Sequence, residues 1–478
     1  MADWDPGICE RIDHFVSSTR NALFVRRVDS LLLIRPDKTM SINATAIDLL
    51  ESFYDRSRRP AAQIVGELAE RWRVPKEQLL EDAGKLIDAV GALLNEDYRP
   101  REAIRFGGFD RSLVQYPTLS EIAVTYGCQN RCQFCYASSP HRVKEHKLMS
   151  TDEVCLVMDK IYHQAHVPSL SFTGGEATLR PDLPELIRHG DKLGLRVNLI
   201  SNGIRLADAD YAKTLAAAGL ASAQISLEAA TPELHDIIVG RSGAFLDTVA
   251  GVKHMQALGL HVHINTTLNS LNLDVADDLI RFAAQTLKLK TLSMNMVIRT
   301  GEALRHGGKH VGVTYTEVGE RLPALIEVAK AEGIRFVWYS PIPYCIFNPV
   351  LHGMGAKSCA CVDGILSVDP AGQVLPCSSF AEGIGSLLKD DFEKIYKSRA
   401  ARYWREKRFA PPVCQSCPDV DICGGACPLY WDAAGSFDEL PRRGAGDSKD
   451  RRRWERSRQK GHSFGVQPTE HEEATWAP

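Results

Sequence analysis

The sequence predicts an α/β protein built on a parallel sheet of six βα units, with a small domain of strands and helices ahead of it and a cysteine-rich region behind it. Three observations carry this. Between about residues 115 and 310, strand-like runs alternate with amphipathic helical patterns at intervals of roughly thirty residues. Ahead of them, three helical patterns follow a few short strands. Eleven of the thirteen cysteines fall into two groups, 128 to 135 and 345 to 427.

The 478 residues suffice for two or three domains, each with its own core. Lys and Arg number 57 against 60 Asp and Glu, so bulk charge selects neither a nucleic acid nor a membrane as partner. No apolar run approaches the roughly 20 residues that span a bilayer. Met1-Ala-Asp-Trp-Asp lacks the basic start and apolar stretch of a signal peptide, so a cytoplasmic location is expected. In a reducing compartment thirteen cysteines are better explained by metal ligation than by disulfides. Cys9 and Cys155 lie outside the two groups, and Cys155 follows a Ser150-x-x-Glu153 capping box in a helical pattern, where packing is its expected role.

The first domain is expected over residues 20–97. Leu23 to Val28 and Ser30 to Arg35 read as paired strands, Pro36-Asp37-Lys38 as a turn and Met40 to Asn43 as a third strand. Helical periodicity follows in Ala44 to Tyr54, Ala61 to Trp72 and Lys76 to Leu94, with a break at Val74-Pro75. Such an order suits a winged helix-turn-helix, a fold that often enters DNA. No helix here has a concentrated basic face, so nucleic acid is not the expected partner. The run Met40-Ser-Ile-Asn43-Ala-Thr-Ala46-Ile-Asp-Leu-Leu50, with Ile64 to Leu68, Trp72-Arg-Val74 and Asp82 to Leu94, resembles the PqqD-type chaperone, or RiPP precursor recognition element. That resemblance implies binding of the leader of a ribosomally synthesised precursor peptide by strand addition.

The second domain is expected over 115–330. Its strands are Ile122 to Tyr126, Ser169 to Thr173, Arg196 to Ser201, Ser222 to Leu227, His261 to Leu268 and Thr291 to Val297. Its helices are Asp152 to Ala165, Leu183 to Leu193, Ala207 to Ala218, Ala244 to Leu258 and Asp274 to Leu287. Repeated βα units imply a parallel sheet with helices outside. Two motifs lie just past strand C-terminal ends, where barrel enzymes place their chemistry: Cys128-Gln-Asn-Arg-Cys132-Gln-Phe-Cys135, and Gly174-Gly175-Glu176. Three thiolates at this spacing can hold three irons of a 4Fe-4S cluster and leave the fourth open to a small molecule.

The two motifs in this context resemble the radical S-adenosylmethionine (radical SAM) superfamily. The resemblance implies a partial (β/α)6 barrel, a cluster on Cys128, Cys132 and Cys135, and S-adenosylmethionine (SAM) on its open iron. It also implies SAM contacts from Gly174 and Gly175, which let the backbone approach, from Glu176 to the amino group, and from Asn202 of Ser201-Asn202-Gly203. Ser226 in Ser226-Leu-Glu228 resembles a ribose or carboxylate contact, although the family more often shows Asp where Glu228 stands. Phe134 and Tyr136 flank the last cluster cysteine, where an aromatic commonly packs near the adenine. No catalytic general base is assigned; Glu228 and Glu302 are candidates near the barrel mouth.

The third domain is expected over 340–435: Cys345, Cys359-Ala-Cys361, Gly372-x4-Cys377 and Cys414-x2-Cys417-x5-Cys423-x3-Cys427. By ligand count alone the last four can form a zinc site. Behind such a barrel the spacing closely resembles the SPASM domain, which implies one or two auxiliary 4Fe-4S clusters. The resemblance gives Cys361, Cys377 and Cys427 to the first, with Cys359 the nearer and Cys345 the more distant candidate for the fourth position. It gives Cys414, Cys417 and Cys423 to the second, whose usual fourth ligand is a later cysteine. None follows Cys427, which leaves Asp432, Asp438, His462, an iron open to substrate or solvent, or an absent or labile cluster.

Residues 440–478 are strongly basic at first, with Arg451-Arg-Arg453, and then polar; a disordered tail is expected. Together the resemblances imply a peptide maturase that oxidatively modifies or cross-links its precursor through a 5'-deoxyadenosyl radical, with flavodoxin or ferredoxin as electron donor. Two alternatives stand beside it: a SPASM enzyme acting on a protein residue or a cofactor precursor, as in sulfatase maturation or haem tailoring, and a winged-helix regulator sensing metal or redox state.

Overall fold

The computed structural model describes residues 6–34, 38–55, 57–95, 97, 99, 113–139, 147–305 and 311–441. Most of the expected basic tail therefore lies outside the described residues, as does His462. The chain divides into two compact units, Met1–Tyr116 and Pro117–Pro478.

The first unit holds helix α1 (Pro6–Thr19), strands β1 (Leu23–Arg26), β2 (Leu31–Ile34) and β3 (Lys38–Ser41), and helices α2 (Ala44–Tyr54), α3 (Ala61–Trp72) and α4 (Lys76–Leu94). The three strands form an antiparallel sheet in the order β1-β2-β3. The three later helices have the bounds that periodicity gave them. Asn43 starts α2 by accepting the Ala46 N–H on Oδ1 at 2.8 Å, which satisfies one of the orphan donors of the first turn. Helix α1 was not foreseen, yet it belongs to the same core: Ile12 and Val16 pack with Leu32, Leu50, Phe53, Ile64, Ile87 and Val90. Each such side chain contributes roughly 1.5–3 kcal/mol on burial. A buried, two-pronged ion pair, Arg26 to Asp29 at 2.9 and 2.8 Å, also receives the backbone N–H of Gln115 on Asp29 at 3.1 Å and fastens the end of this unit.

The second unit is built on a ten-stranded sheet. Its first six strands are β4 (Leu119–Thr125), β5 (Ser169–Gly174), β6 (Arg196–Ser201), β7 (Ser222–Ser226), β8 (His261–Leu268) and β9 (Thr291–Met296), all parallel and adjacent in chain order. The crossover helices include α5 (Thr151–His163), α6 (Leu183–Leu193), α7 (Ala209–Ala217), α8 (Pro232–Val239), α9 (Ala244–Ala257) and α10 (Ala276–Gln285). Ser150 and Glu153 form the expected capping box on α5, while Cys155 on that helix is only half-buried. Helix α8 was missed because eight residues are too few to show a period.

The sheet exceeds the six expected strands at both ends. After the short α11 (Glu302–Arg305) comes α12 (Tyr315–Ala331), which is started by a Thr314/Glu317 capping box and leads into β10 (Arg335–Trp338), parallel to β9. On the other side β11 (Ile365–Val368) lies parallel to β4, and β12 (Gln373–Leu375) and β13 (Gly385–Ser386) extend it as an antiparallel meander. The cysteine-rich region thus shares its sheet with the barrel. The remaining helices are α13 (Phe392–Tyr396), α14 (Arg399–Arg405), α15 (Val420–Cys423) and α16 (Pro428–Ala434). Buried Glu121 of β4 accepts from Ser367 Oγ of β11 at 2.6 Å and from Ser378, next to Cys377; burial pushes its carboxyl upward. Among the described residues no helix is long and apolar enough to cross a membrane.

Candidate active site

Strand β4 ends at Thr125, and the following loop carries Cys128, Cys132 and Cys135. Its neighbour β5 ends at Gly174, opposite Thr125. Two backbone bonds stitch the loops together: Gly175 N–H to Thr125 O and Glu176 N–H to Gly127 O, both 2.8 Å. Gly174 has φ +140°, and a Cβ there would stand 2.0 Å from the Thr125 carbonyl oxygen; at Gly175 it would stand 2.4 Å from those of Tyr126 and Gly127. The glycine pair is therefore required by the cysteine loop itself, besides any ligand.

Glu176 is 1% exposed. Its Oε1 accepts from Thr178 N (3.0 Å), Thr178 Oγ1 (2.6 Å) and Ser201 Oγ (2.9 Å), and its Oε2 from Asn202 N (2.8 Å). Burial pushes its pKa up against these bonds. The carboxylate thereby locks the loop after β5 to the loop after β6. From that second loop Asn202 Nδ2 reaches Cys128 Sγ at 3.8 Å, and the Asn130 N–H approaches the same sulfur at 3.4 Å. The three thiols are half-buried electrostatic neighbours. Burial pushes Cys128 up to about 11 and Cys132 well above the ordinary thiol value, so metal uptake at neutral pH must release protons.

Three supports of this loop were not legible in the sequence. The end of α8 accepts from it, with Arg131 N–H to Val239 O at 2.9 Å. On the opposite side Gly301 crosses so closely that a Cβ would lie 2.3 Å from the Cys135 carbonyl oxygen, and Glu302 N–H donates to that oxygen at 3.0 Å. Tyr136 hydrogen-bonds Thr173 at the end of β5 and packs against Ala123 and Tyr126. Phe134 stays half-buried within the loop.

Glu228 is 1% exposed, neighbours Cys132, and accepts the Thr267 N–H at 2.8 Å; burial raises its pKa to about 8. Its backbone N–H donates to His235 Nδ1 at 3.1 Å, which requires a neutral imidazole. Ser226 lies half-buried at the end of β7, level with Asn265 of β8.

One face of the sheet carries a polar ladder that alternation alone did not identify: Ser171 with Asn198 (3.1 Å), Asn198 with Ser222 (2.7 Å), Gln224 with His263 (3.2 Å) and Asn265 with Asn295 (2.8 Å). The signal was there, since these positions alternate with buried apolar residues such as Phe172, Leu199 and Leu292.

The C-terminal thiols fall into two sets. Cys359 Sγ lies 3.3 Å from Cys361 Sγ, Cys361 also contacts Cys377, and Cys427 faces Cys359 and Cys377. The Cys361 contact and the Lys407 ammonium, which itself bonds Cys359 O and Asp363 (2.5 and 2.7 Å), lower the Cys359 thiol to about 7. Cys427 is fixed by its N–H to Tyr315 Oη at 3.0 Å, and Tyr315 packs against Tyr430 and Trp431. The other set joins Cys414, Cys417 and Cys423. Cys345 stands with these three rather than with Cys361. Asp432 and Asp438 are exposed. Among the described residues no three His, Cys, Asp or Glu side chains close into the shell of a single metal ion; the thiols are neighbours rather than a finished coordination sphere.

Fold and thiol sets define an iron-sulfur enzyme of the α/β class. The radical SAM superfamily profile matches residues 122–283, and that of the SPASM iron-sulfur cluster-binding domain matches 359–418. The PqqA peptide cyclase of Rhizobium meliloti (strain 1021) is 30% identical over 346 residues, 69% of this chain and 86% of that protein. The AdoMet-dependent heme synthase of Oleidesulfovibrio alaskensis is 28% identical over 328 residues, 66% and 83% of the two chains. The crystal structure of Streptococcus suis SuiB bound to precursor peptide SuiA superposes with TM-score 0.63 at 13% identity, over 86% of this chain and 95% of that one. The chain belongs to the radical SAM superfamily and is an iron-sulfur enzyme whose cofactors are a 4Fe-4S cluster, SAM and auxiliary clusters of its SPASM domain.

Proposed function

We propose that this enzyme is a peptide maturase: it binds a ribosomally synthesised precursor peptide through residues 20–97, read as a PqqD-like winged-helix domain, and oxidatively modifies or cross-links it. The observation that carries the chemistry is the three-thiol loop stitched to Gly174-Gly175-Glu176. Cys128, Cys132 and Cys135 would hold the SAM-binding cluster, and their donor type suits it: half-buried thiols with N–H groups aimed at sulfur. Bound there, the cluster supplies the electron that cleaves SAM to methionine and a 5'-deoxyadenosyl radical. Phe134, Gly174, Gly175, Glu176, Asn202, Ser226 and Glu228 surround the space for SAM in this reading. The polar ladder across β5 to β9 would orient the peptide segment to be modified. Cys359, Cys361, Cys377 and Cys427 would hold the first auxiliary cluster, and Cys414, Cys417 and Cys423 belong to the second.

A peptide substrate is favoured by the first unit. Among the described residues of that unit β3 pairs with β2 on one side alone, an edge to which a leader strand could add. Beside α2 lies a cavity of about 380 Å³ lined by Ala44, Thr45, Asp48, Trp72, Val74 and Leu79, a fit for leader side chains. The match to the peptide-bound SuiB structure spans 86% of this chain, more than residues 117–478 alone, and so takes in part of this unit. Flavodoxin or ferredoxin as electron donor, and a cytoplasmic location that keeps the thiols reduced, complete the proposal.

The test is anaerobic turnover with SAM, reductant and a candidate precursor peptide, sought among short reading frames near this gene. Formation of 5'-deoxyadenosine together with a peptide that has lost hydrogen is expected, and both vanish in C128A/C132A/C135A. Replacing Trp72 and Asp48 together by Ala and Lys should weaken peptide binding at least tenfold while leaving peptide-independent SAM cleavage intact. SAM cleavage with no peptide bound or changed, but with a tetrapyrrole consumed, would transfer the assignment to cofactor tailoring and towards the relatives named AdoMet-dependent heme synthase.

A further inference from the structure

The second auxiliary set has three thiols in the Cys414-to-Cys427 run and no cysteine after it, yet the structure brings a fourth from upstream. Residues 343–347 form a tight turn: Ile346 and Phe347 both donate to Pro343 O, at 2.9 and 3.0 Å. The turn is pinned by buried Ile342, Tyr344 and Phe347, and Tyr344 Oη accepts the Lys357 N–H at 2.8 Å. The Tyr344 N–H points at Cys423 Sγ, 3.5 Å away, so the backbone that carries Cys345 lies directly against the thiol set. Cys345, an exposed thiol, lies within electrostatic reach of Cys414, Cys417 and Cys423.

The other three are held at fixed spacing by local structure. Cys417 N–H donates to Cys414 O at 3.0 Å, and Cys423 N–H to Asp419 O at 2.8 Å. After Cys423 the helix stops, and Gly424, Gly425 and Ala426 take φ values of 69°, 74° and 67°. In a continued helix Cys423 and Cys427 would lie one above the other on a single face; the left-handed run turns them to different sets. Eight cysteines thereby divide into two fours.

We propose that Cys345 supplies the fourth protein ligand of the second auxiliary 4Fe-4S cluster, completing a Cys345/Cys414/Cys417/Cys423 site. This rests on the reading of the C-terminal thiols as cluster ligands. It removes the need for Asp432, Asp438 or His462, and it leaves no open iron at this cluster for substrate.

The test uses the full chain in a C128A/C132A/C135A background, so that only auxiliary clusters remain, with anaerobic reconstitution, iron and sulfide analysis, and electron paramagnetic resonance. The parent should hold about eight irons as two clusters. C345A should lose either one iron, with a 3Fe-4S signal appearing, or the whole second cluster, leaving the signal of the first unchanged. C345D should restore the iron count with a shifted reduction potential, which a mere folding defect would not give. A C345A protein with about eight irons and the parent's spectrum overturns the ligand assignment alone. A parent with about four irons, or with zinc, overturns the two-cluster reading and the proposal with it.

Discussion

Asn202 joins two parts of the site: its side-chain amide lies 3.8 Å from the Cys128 sulfur, while its backbone N–H donates to the Glu176 carboxylate at 2.8 Å. Hydrogen bonds to sulfur ligands favour the reduced state of a cluster. N202L is expected to lower the reduction potential of the SAM-binding cluster and to slow 5'-deoxyadenosine formation roughly tenfold, the effect of about 1.4 kcal/mol. A potentiometric titration with the cleavage assay reads both; an unchanged potential would show that Asn202 does not bond the ligated sulfur.

Glu176 accepts four bonds from buried or half-buried partners. E176A leaves them without their acceptor, at about 1–3 kcal/mol for each group left unsatisfied. Thermal unfolding of the reconstituted protein should show a loss of several degrees, and E176Q a smaller one. If E176A melts like the parent, the carboxylate is not the lock between the two loops.

Gly174 and Gly301 admit no side chain, with Cβ positions 2.0 and 2.3 Å from the Thr125 and Cys135 carbonyl oxygens. G174A and G301A should each displace the cysteine loop and cut iron at that site by at least half, while the C-terminal clusters persist. Iron analysis in a background lacking the auxiliary thiols isolates the effect; full occupancy would refute it.

Burial pushes His235 down from 6.5 to about 4, and its Nδ1 must accept the Glu228 N–H. Below pH 6.5 the unfolded chain takes up a proton that the folded chain refuses. The stability tied to the neutral ring is therefore fully present above pH 6.5 and lost as pH falls towards 4, by at most about 3 kcal/mol. Melting temperature against pH should fall less steeply across this window in H235Q than in the parent; parallel curves would rule out this histidine as the cause.

Tyr315 accepts the Cys427 N–H at 3.0 Å inside an aromatic cluster with Tyr430 and Trp431. Y315F removes the acceptor and keeps the ring, costing about 1 kcal/mol, whereas Y315A opens a cavity costing roughly 3–5 kcal/mol. Chelator-driven bleaching of the first auxiliary cluster should speed up modestly in the first variant and strongly in the second. Equal rates in all three proteins would separate Tyr315 from that centre.

The sequence by itself determined most of the strands and helices from β1 to β9 and where the chemistry lies. Periodicity placed α2, α3, α4 and α6 with their bounds, and strand-end motifs located the three-thiol loop and the glycine pair, because those signals are local: a helix period, a cap, a spacing of ligands. Tertiary structure decided the rest. β11, which brings β12 and β13 with it, joins the sheet by pairing with a segment more than two hundred residues away, Ile365 with Leu119, and β10 joins by pairing with β9 across α12. The bond between Tyr136 and Thr173 likewise ties the cysteine loop to β5 only once the chain is folded. Spacing could not decide between Cys345 and Cys359, since both precede Gly372-x4-Cys377. Only the folded chain separates them: a buried turn carries Cys345 to Cys423, and three left-handed residues turn Cys427 towards Cys359.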